Sequence, residues 1–295
     1  MDSRKEEKAT VKPFSWGSFA IGTLSGTGTR WALLFSEKVY TDASLASNTK
    51  SYAQLYRENL KFKSLYQINS IFFKTCLMQT FAKSASNIGV MYATNHSFSH
   101  YSATQKGLIA AFSASSLETL TTSYHECKRV QAFLKMRDPE FKMTPHIGYQ
   151  AFARTVSATY MRAAWSGVAT FVPMNIAQEK LAPVFIQYGM SNAHAKSLAT
   201  LVSSFSVQPL IMPVLNFQTH VLSDPTVSFS KSAHSFFRDK KPKDYMRGTL
   251  GRCINRGLYY PVVDGMSHWL HSLITWLDEN VRNHQKNEKR QLKMK

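Results

Sequence analysis

Six stretches of the chain, about residues 14–40, 70–94, 106–130, 155–178, 194–217 and 250–277, are mainly apolar but flecked with Ser, Thr, Gly and Ala. A bilayer-spanning helix takes about 20 mostly apolar residues, and each stretch reaches that length. Three of them carry a single formal charge over their first twenty residues or so: Arg30, Arg162 and Lys196. Helices that are apolar but polar-flecked suit a bundle around a water-filled centre, where one face of each helix need not meet lipid. The pattern therefore predicts an all-α membrane protein of six transmembrane helices. Small residues predict close helix packing: Gly22 and Gly26 in the first stretch, and Ala110, Ala111, Ser113 and Ala114 in the third.

A periodicity divides the six into pairs. In Gln208–Gln218, QPLIMPVLNFQ, a proline sits inside an apolar segment and Gln218 follows Pro209 by nine residues. Gln131 lies 87 residues before Gln218; Thr122 and Phe35 lie 87 and twice 87 residues before Pro209. All fall near the end of an apolar stretch that gives way to a polar, basic loop. This predicts three pseudo-repeats of two helices each, at about 14–100, 101–190 and 191–277. A polar tail, 1–13, precedes them and a basic tail, 278–295, follows.

The loops alternate in charge. Segment 41–69 has Lys50, Arg57, Lys61 and Lys63 against Asp42 and Glu58, and 128–155 has six basic residues against Asp138 and Glu140. Segment 218–250 has six against Asp224, Asp239 and Asp244, whereas 95–105 holds no Lys, Arg, Asp or Glu and 179–193 only Glu179 and Lys180. Long basic loops on one side and short bare ones on the other follow the positive-inside rule.

Overall charge adds one alternative. Lys and Arg number 36 against 18 acids, yet there is no RGG run, RNP-like box or dominant basic block, which disfavours a nucleic-acid surface. A soluble, basic, RNA-binding helical protein stays open only through the mean hydropathy of −0.25; carbonate extraction would release it. Cys76, Cys127 and Cys253 form no CxxC pair, so neither a disulfide framework nor a zinc site is expected. Residues 1–13 lack an apolar core, and Asp2, Glu6 and Glu7 argue against a transit peptide, so any organellar address is expected to be internal. The run GTLSGTGTR (22–30) lacks the GK[ST] ending of a phosphate loop. His268 and His271 share a helical face but have no third partner, so no metal is expected.

Three two-helix repeats, a long loop within each, and a Pro with Gln nine residues on together resemble the mitochondrial carrier family, from about Phe14 to Trp276. The best-matching stretches are Pro209–Gln218 and Asp244–Gly257, DYMRGTLGRCINRG, with Arg247-Gly248 at the start of an even-numbered helix and Arg154-Thr155 as its equivalent. The resemblance implies an inner-membrane, multi-pass protein. It also implies helix N-termini at Arg154, Thr155, Arg247 and Gly248 that meet lipid phosphates such as those of cardiolipin, with no cofactor required. Carriers close one side with charged pairs on the odd helices. Here those places hold Glu37, then Tyr124 and Cys127, then Ile211 and Val214, so of the six charges only Glu37 remains. The places of the opposite gate hold Ile88 and Met91, Asn175 and Gln178, and Ser267 and Leu270, to within about one residue, and none is charged.

By the same resemblance Thr75, Arg162, Asn255 and Arg256 are a remnant substrate cavity, with Arg162 either a remnant anion site or simply paired with a neighbour. Glu37, Gln131, Pro209 and Gln218 are remnant gate and brace positions. The expected function is a degenerate carrier that is not an enzyme. It serves as a structural or accessory subunit of a larger inner-membrane assembly, such as a respiratory-chain complex, with lipids and fellow subunits as partners. The alternative is a solute carrier exchanging a small anionic metabolite.

Overall fold

The computed structural model describes residues 13–33, 39, 51–59, 61, 77–138, 140–142 and 149–293. Every regular element among them is a helix. In chain order these are α1 (Trp16–Ala32), α2 (Tyr52–Asn59), α3 (Leu77–Ser84), a π-helical turn (Ala85–Gly89) and α4 (Val90–Ser97). There follow α5 (Ala103–Arg137), α6 (Tyr149–Gln187), α7 (Asn192–Ser206), α8 (Gln208–Ser223), α9 (Phe229–Asp239), α10 (Pro242–Tyr245) and α11 (Thr249–Lys293).

Serine starts four of these helices. Ser15, Ser102, Ser191 and Ser228 each accept the N–H of the residue three positions on. Ser102 and Gln105 form a reciprocal capping box, satisfying two N–H groups that a helix start leaves without intrahelical acceptors. The hydroxyls inside α1 are satisfied locally: Thr23, Ser25, Thr27 and Thr29 each donate to a carbonyl four residues back, at 2.8 Å. Polar flecks of this kind cost little in an apolar helix, because each donor carries its own acceptor.

The helices pack as a ring in sequence order. α1 meets the π turn and α4, which meet α5; α5 lies along α6, α6 along α7 and α8, α7 along α11, and α11 closes against α1. Small residues set the spacing. A Cβ on Gly22 would lie 2.9 Å from the Ile88 carbonyl oxygen, and one on Gly107 2.7 Å from Val172 Cα. Ala110, Ala111 and Ala114 are fully buried, with Gly167 against Ala111. The expected small residues are thus packing surfaces at Gly22, Gly26, Ala110, Ala111 and Ala114, whereas Ser113 is exposed.

The boundaries differ from the sequence reading in several places: the expected fifth helix, 194–217, is two, α7 and α8, and α5 and α6 run into the loops expected at 128–155 and 179–193. α6 begins at Tyr149, so Arg154 and Thr155 sit in its second turn and not at its N-terminus. α11 runs without a break through the expected tail to Lys293. Residues 277–293 contain no Gly or Pro and many Glu, Lys, Arg and Gln, all good helix formers. The proline inside the expected fifth helix stands just after a break in it. α7 ends at Ser206, and α8 starts at Gln208 with Pro209 in its first turn and bends 52° from α7. A first-turn proline loses no helical bond, since its missing N–H would have had no acceptor there.

No single helix among the described residues is long and apolar enough to cross a membrane, though the bent pair α7–α8 passes that test. The inward-facing Ser, Thr and charged residues lower the hydropathy of the others.

The α8–α11 corner is pinned by Asn216, whose amide donates to the carbonyls of Asp244 (3.3 Å), Tyr245 (2.8 Å) and Arg247 (3.1 Å). This holds the turn that ends at Gly248, whose φ of +82° is open to glycine. Asn216→Ala is expected to lower stability by about 1–3 kcal/mol, read as a drop in the thermal unfolding midpoint in mild detergent. The amphipathic α9 packs Phe236 against Phe217 at 5.3 Å between ring centroids. On its outer face Arg238 donates to Asp239 at 2.8 Å and holds that carboxyl below the usual range.

Candidate functional site

The centre of the ring is charged. Lys83, at the end of α3, bonds Glu126 of α5 and lies 3.5 Å from Glu118, two turns earlier on the same helix. Arg162 of α6 donates to Glu118 Oε1 at 2.5 Å, and Asn87 of the π turn donates to Oε2 at 2.8 Å. Both glutamates are 1% exposed, Lys83 7% and Arg162 6%. Three consecutive walls of the ring are therefore tied through one buried lattice of opposite charges. The desolvation cost of such groups is tolerable only because each is paired and hydrogen-bonded.

The π turn supplies part of this geometry. Widening the helix by one residue brings Asn87 beneath Lys83, whose carbonyl accepts from the Asn87 amide at 2.9 Å while the same amide serves Glu118. Such turns occur often at functional positions.

On the other side of the centre, Arg252 of α11 donates through Nε to Gln208 Oε1 at 2.9 Å, and Gln208 donates back to the Ser204 carbonyl at 2.5 Å across the α7–α8 break. Arg30 and Arg256 approach the ring of Tyr259 at 5.3 and 5.0 Å, each as a cation–π contact. Tyr259 OH donates to the Gly26 carbonyl at 3.3 Å. A cavity of about 30 Å³ remains among Arg30, Lys83, Arg162, Gln208, Arg252 and Arg256, room for roughly two ordered waters.

Of the expected cavity residues, Arg162 is central, lines the cavity and carries a carboxylate partner, Glu118. Arg256 reaches the same cavity. Asn255 is buried and does not line it; its amide donates to the Leu33 carbonyl at 3.4 Å. Thr75 and Glu37 lie outside the described residues. Gln218 donates to Thr159 at 3.3 Å and Gln131 is fully buried, so both brace positions face the interior. Arg247-Gly248 does precede the first residue of α11, with Arg247 3.0 Å from Asp244. Arg154 instead donates to the carbonyls of Pro225 (3.3 Å) and Thr226 (2.6 Å), fastening the α8–α9 loop.

The sequence reading missed Lys83, Glu118 and Glu126. The positions at which the resemblance looks for gates carry no charge among the described residues, yet a charge network exists and is built from other positions on the same helices. The signal was present: one base and two acids within otherwise apolar stretches, groups that are costly in such a setting unless they meet. The opposite end of the ring is held by polar contacts of another kind. Ser267 donates to Ser25 at 2.8 Å, Gln178 to Thr200 at 2.8 Å and Tyr92 to Asp264 at 2.9 Å. Asn175 and Asn95 face each other at 3.5 Å.

Among the described residues no three His, Cys, Asp or Glu side chains gather as a metal site. His268 and His271 are both exposed. No protein-family model matches the chain, and no curated protein matches it.

Proposed function

We propose that the chain is a membrane-embedded bundle of mitochondrial-carrier type, with six spans in three pseudo-repeats, whose centre is closed by its own side chains. In this reading it is a structural or accessory subunit of a larger inner-membrane assembly, such as a respiratory-chain complex, and does not transport. The observation that carries it is the buried lattice Lys83–Glu126, Lys83–Glu118 and Arg162–Glu118 with about 30 Å³ left beside it. The chain's own carboxylates stand where a metabolite's anionic groups would have to go. A solute would need to displace Glu118 from Arg162 and Lys83, and a ligand shifts a two-state equilibrium only by its differential affinity.

Membrane embedding is supported by the closed ring with polar centre and by exposed aromatics. Trp16, at the start of α1, is 74% exposed and Trp276, on antiparallel α11, 59% exposed; both stand near one end, as in an interfacial belt. Lipid contact at the α11 N-terminus, with cardiolipin as a suitable anion, belongs to the same reading, since Arg247 lies beside the positive end of the helix there.

A second reading, exchange of a small anionic metabolite, is favoured by one observation: Arg30, Arg252 and Arg256 line the same cavity as Lys83 and Arg162. Two measurements separate the readings. The protein reconstituted into liposomes is expected to show no saturable uptake of nucleotide, carboxylate or phosphate, and in mild detergent the native protein is expected to migrate with a large complex. Saturable uptake abolished by Arg162→Ala, with the protein migrating alone, would establish the carrier instead.

A further inference from the structure

A second cavity lies far in character from the charged centre. It occupies about 490 Å³ where α9 folds back over α6 and α8, and its wall is almost wholly apolar. Met161, Val214, Phe217, Phe236, Phe237 and Met246 face it. The volume falls in the range of small-molecule clefts, about 300–1,000 Å³, and the cleft is partly open, with Phe237 66% and Met246 41% exposed. It also exceeds the small voids of a packed interior, which few side chains would leave unfilled. Methionine and aromatic walls adapt to an irregular apolar guest and offer it no hydrogen bond.

The adjoining segment is different. Phe237 and Pro242, both at the cavity, are joined by the run Arg238-Asp239-Lys240-Lys241, in which Arg238 and Asp239 pair with each other and Lys240 and Lys241 add positive charge, Lys241 exposed. A basic rim over an apolar chamber matches a molecule with one anionic end and one long apolar body. The wall has no polar group placed to hold a glycerol backbone or a second head, and the chamber suits one tail. We propose that this cavity binds a long-chain fatty acid, tail inward and carboxylate at the Lys240–Lys241 rim.

The test uses the purified full-length chain and a palmitate bearing a diazirine near its methyl end. On irradiation the label is expected on peptides containing Met161, Phe236 or Met246, and excess oleate should reduce it at least tenfold. Ala233→Trp, which fills the chamber from α9, is expected to lower labelling of those peptides about tenfold with helical content unchanged. Lys240→Gln with Lys241→Gln should weaken competition by oleate about fivefold and leave that by oleyl alcohol unaltered. Label confined to the outer faces of α5 or α11 would overturn the proposal. So would competition by dioleoylphosphatidylglycerol equal to that by oleate, which would give the chamber to a membrane lipid. Should Ala233→Trp fail to fold, the map on the unmodified chain still decides.

Discussion

Replacing Glu118 by Ala is expected to lower the unfolding free energy by about 3–5 kcal/mol, the usual cost of breaking a buried ion pair from one side. The carboxylate accepts from Arg162 and Asn87 and faces Lys83. Its loss leaves the guanidinium at the centre of the ring without the acceptor that offsets its desolvation. The double replacement Glu118→Met with Arg162→Met is expected to recover most of that loss, because both desolvation costs disappear together and the apolar pair can pack. Thermal unfolding in mild detergent reads both. A single replacement costing less than about 1 kcal/mol would place Glu118 in water, and the closed centre would go with it. Recovery in the double variant would also separate a structural lattice from a solute site, which the same change would abolish.

Gly107→Ala is expected to cost about 3 kcal/mol, the upper end of what overpacking does to a tight interface. The added Cβ would meet Val172 Cα at 2.7 Å and its nitrogen at 2.9 Å. Those are backbone atoms, so the neighbour cannot turn aside as a flexible side chain would. α5 and α6 would have to separate at their outer end, where Asn175 approaches the Ala103 carbonyl at 3.5 Å. The control is Gly17→Ala in the first turn of α1, where a Cβ meets nothing within 4 Å. That change should be neutral or stabilise by up to about 1 kcal/mol through helix propensity. Equal effects at the two positions would refute the close-approach account.

The elements that could be read from the sequence are those whose signal is local. The Pro209 break follows from proline chemistry, and the buried face at Ala110, Ala111 and Ala114 from residue size. A charge alone in an apolar stretch had to find a partner, which marked Arg162. What could not be read was the partner's identity. Glu118 and Glu126 were passed over because charged positions were sought only where the repeat register put them. Which of several acids meets Arg162 depends on the rotation of α5 against α6, a tertiary quantity. Helix starts were similarly obscure: Arg154 looked like a first-turn residue because its pair with Thr155 aligns with Arg247-Gly248. Only the latter has the positive-φ glycine that begins a helix afresh. The aromatic cleft between α6, α8 and α9 gave no signal at all, since it forms only when α9 folds back onto α8 and Met161 of the distant α6 meets both.

The π turn at Ala85–Gly89 acts as a phase shifter in the second wall of the ring. One extra residue turns everything beyond it by about 100°, the angle between successive residues of an α-helix. Upstream of the shift, Lys83 is aimed at α5; downstream, Tyr92 is aimed at Asp264 of α11. Without it, a straight helix could satisfy one neighbour or the other. Removing a single residue from this turn would therefore set the charged centre and the hydrogen-bonded end against each other, and the wall would have to give up whichever contact is weaker.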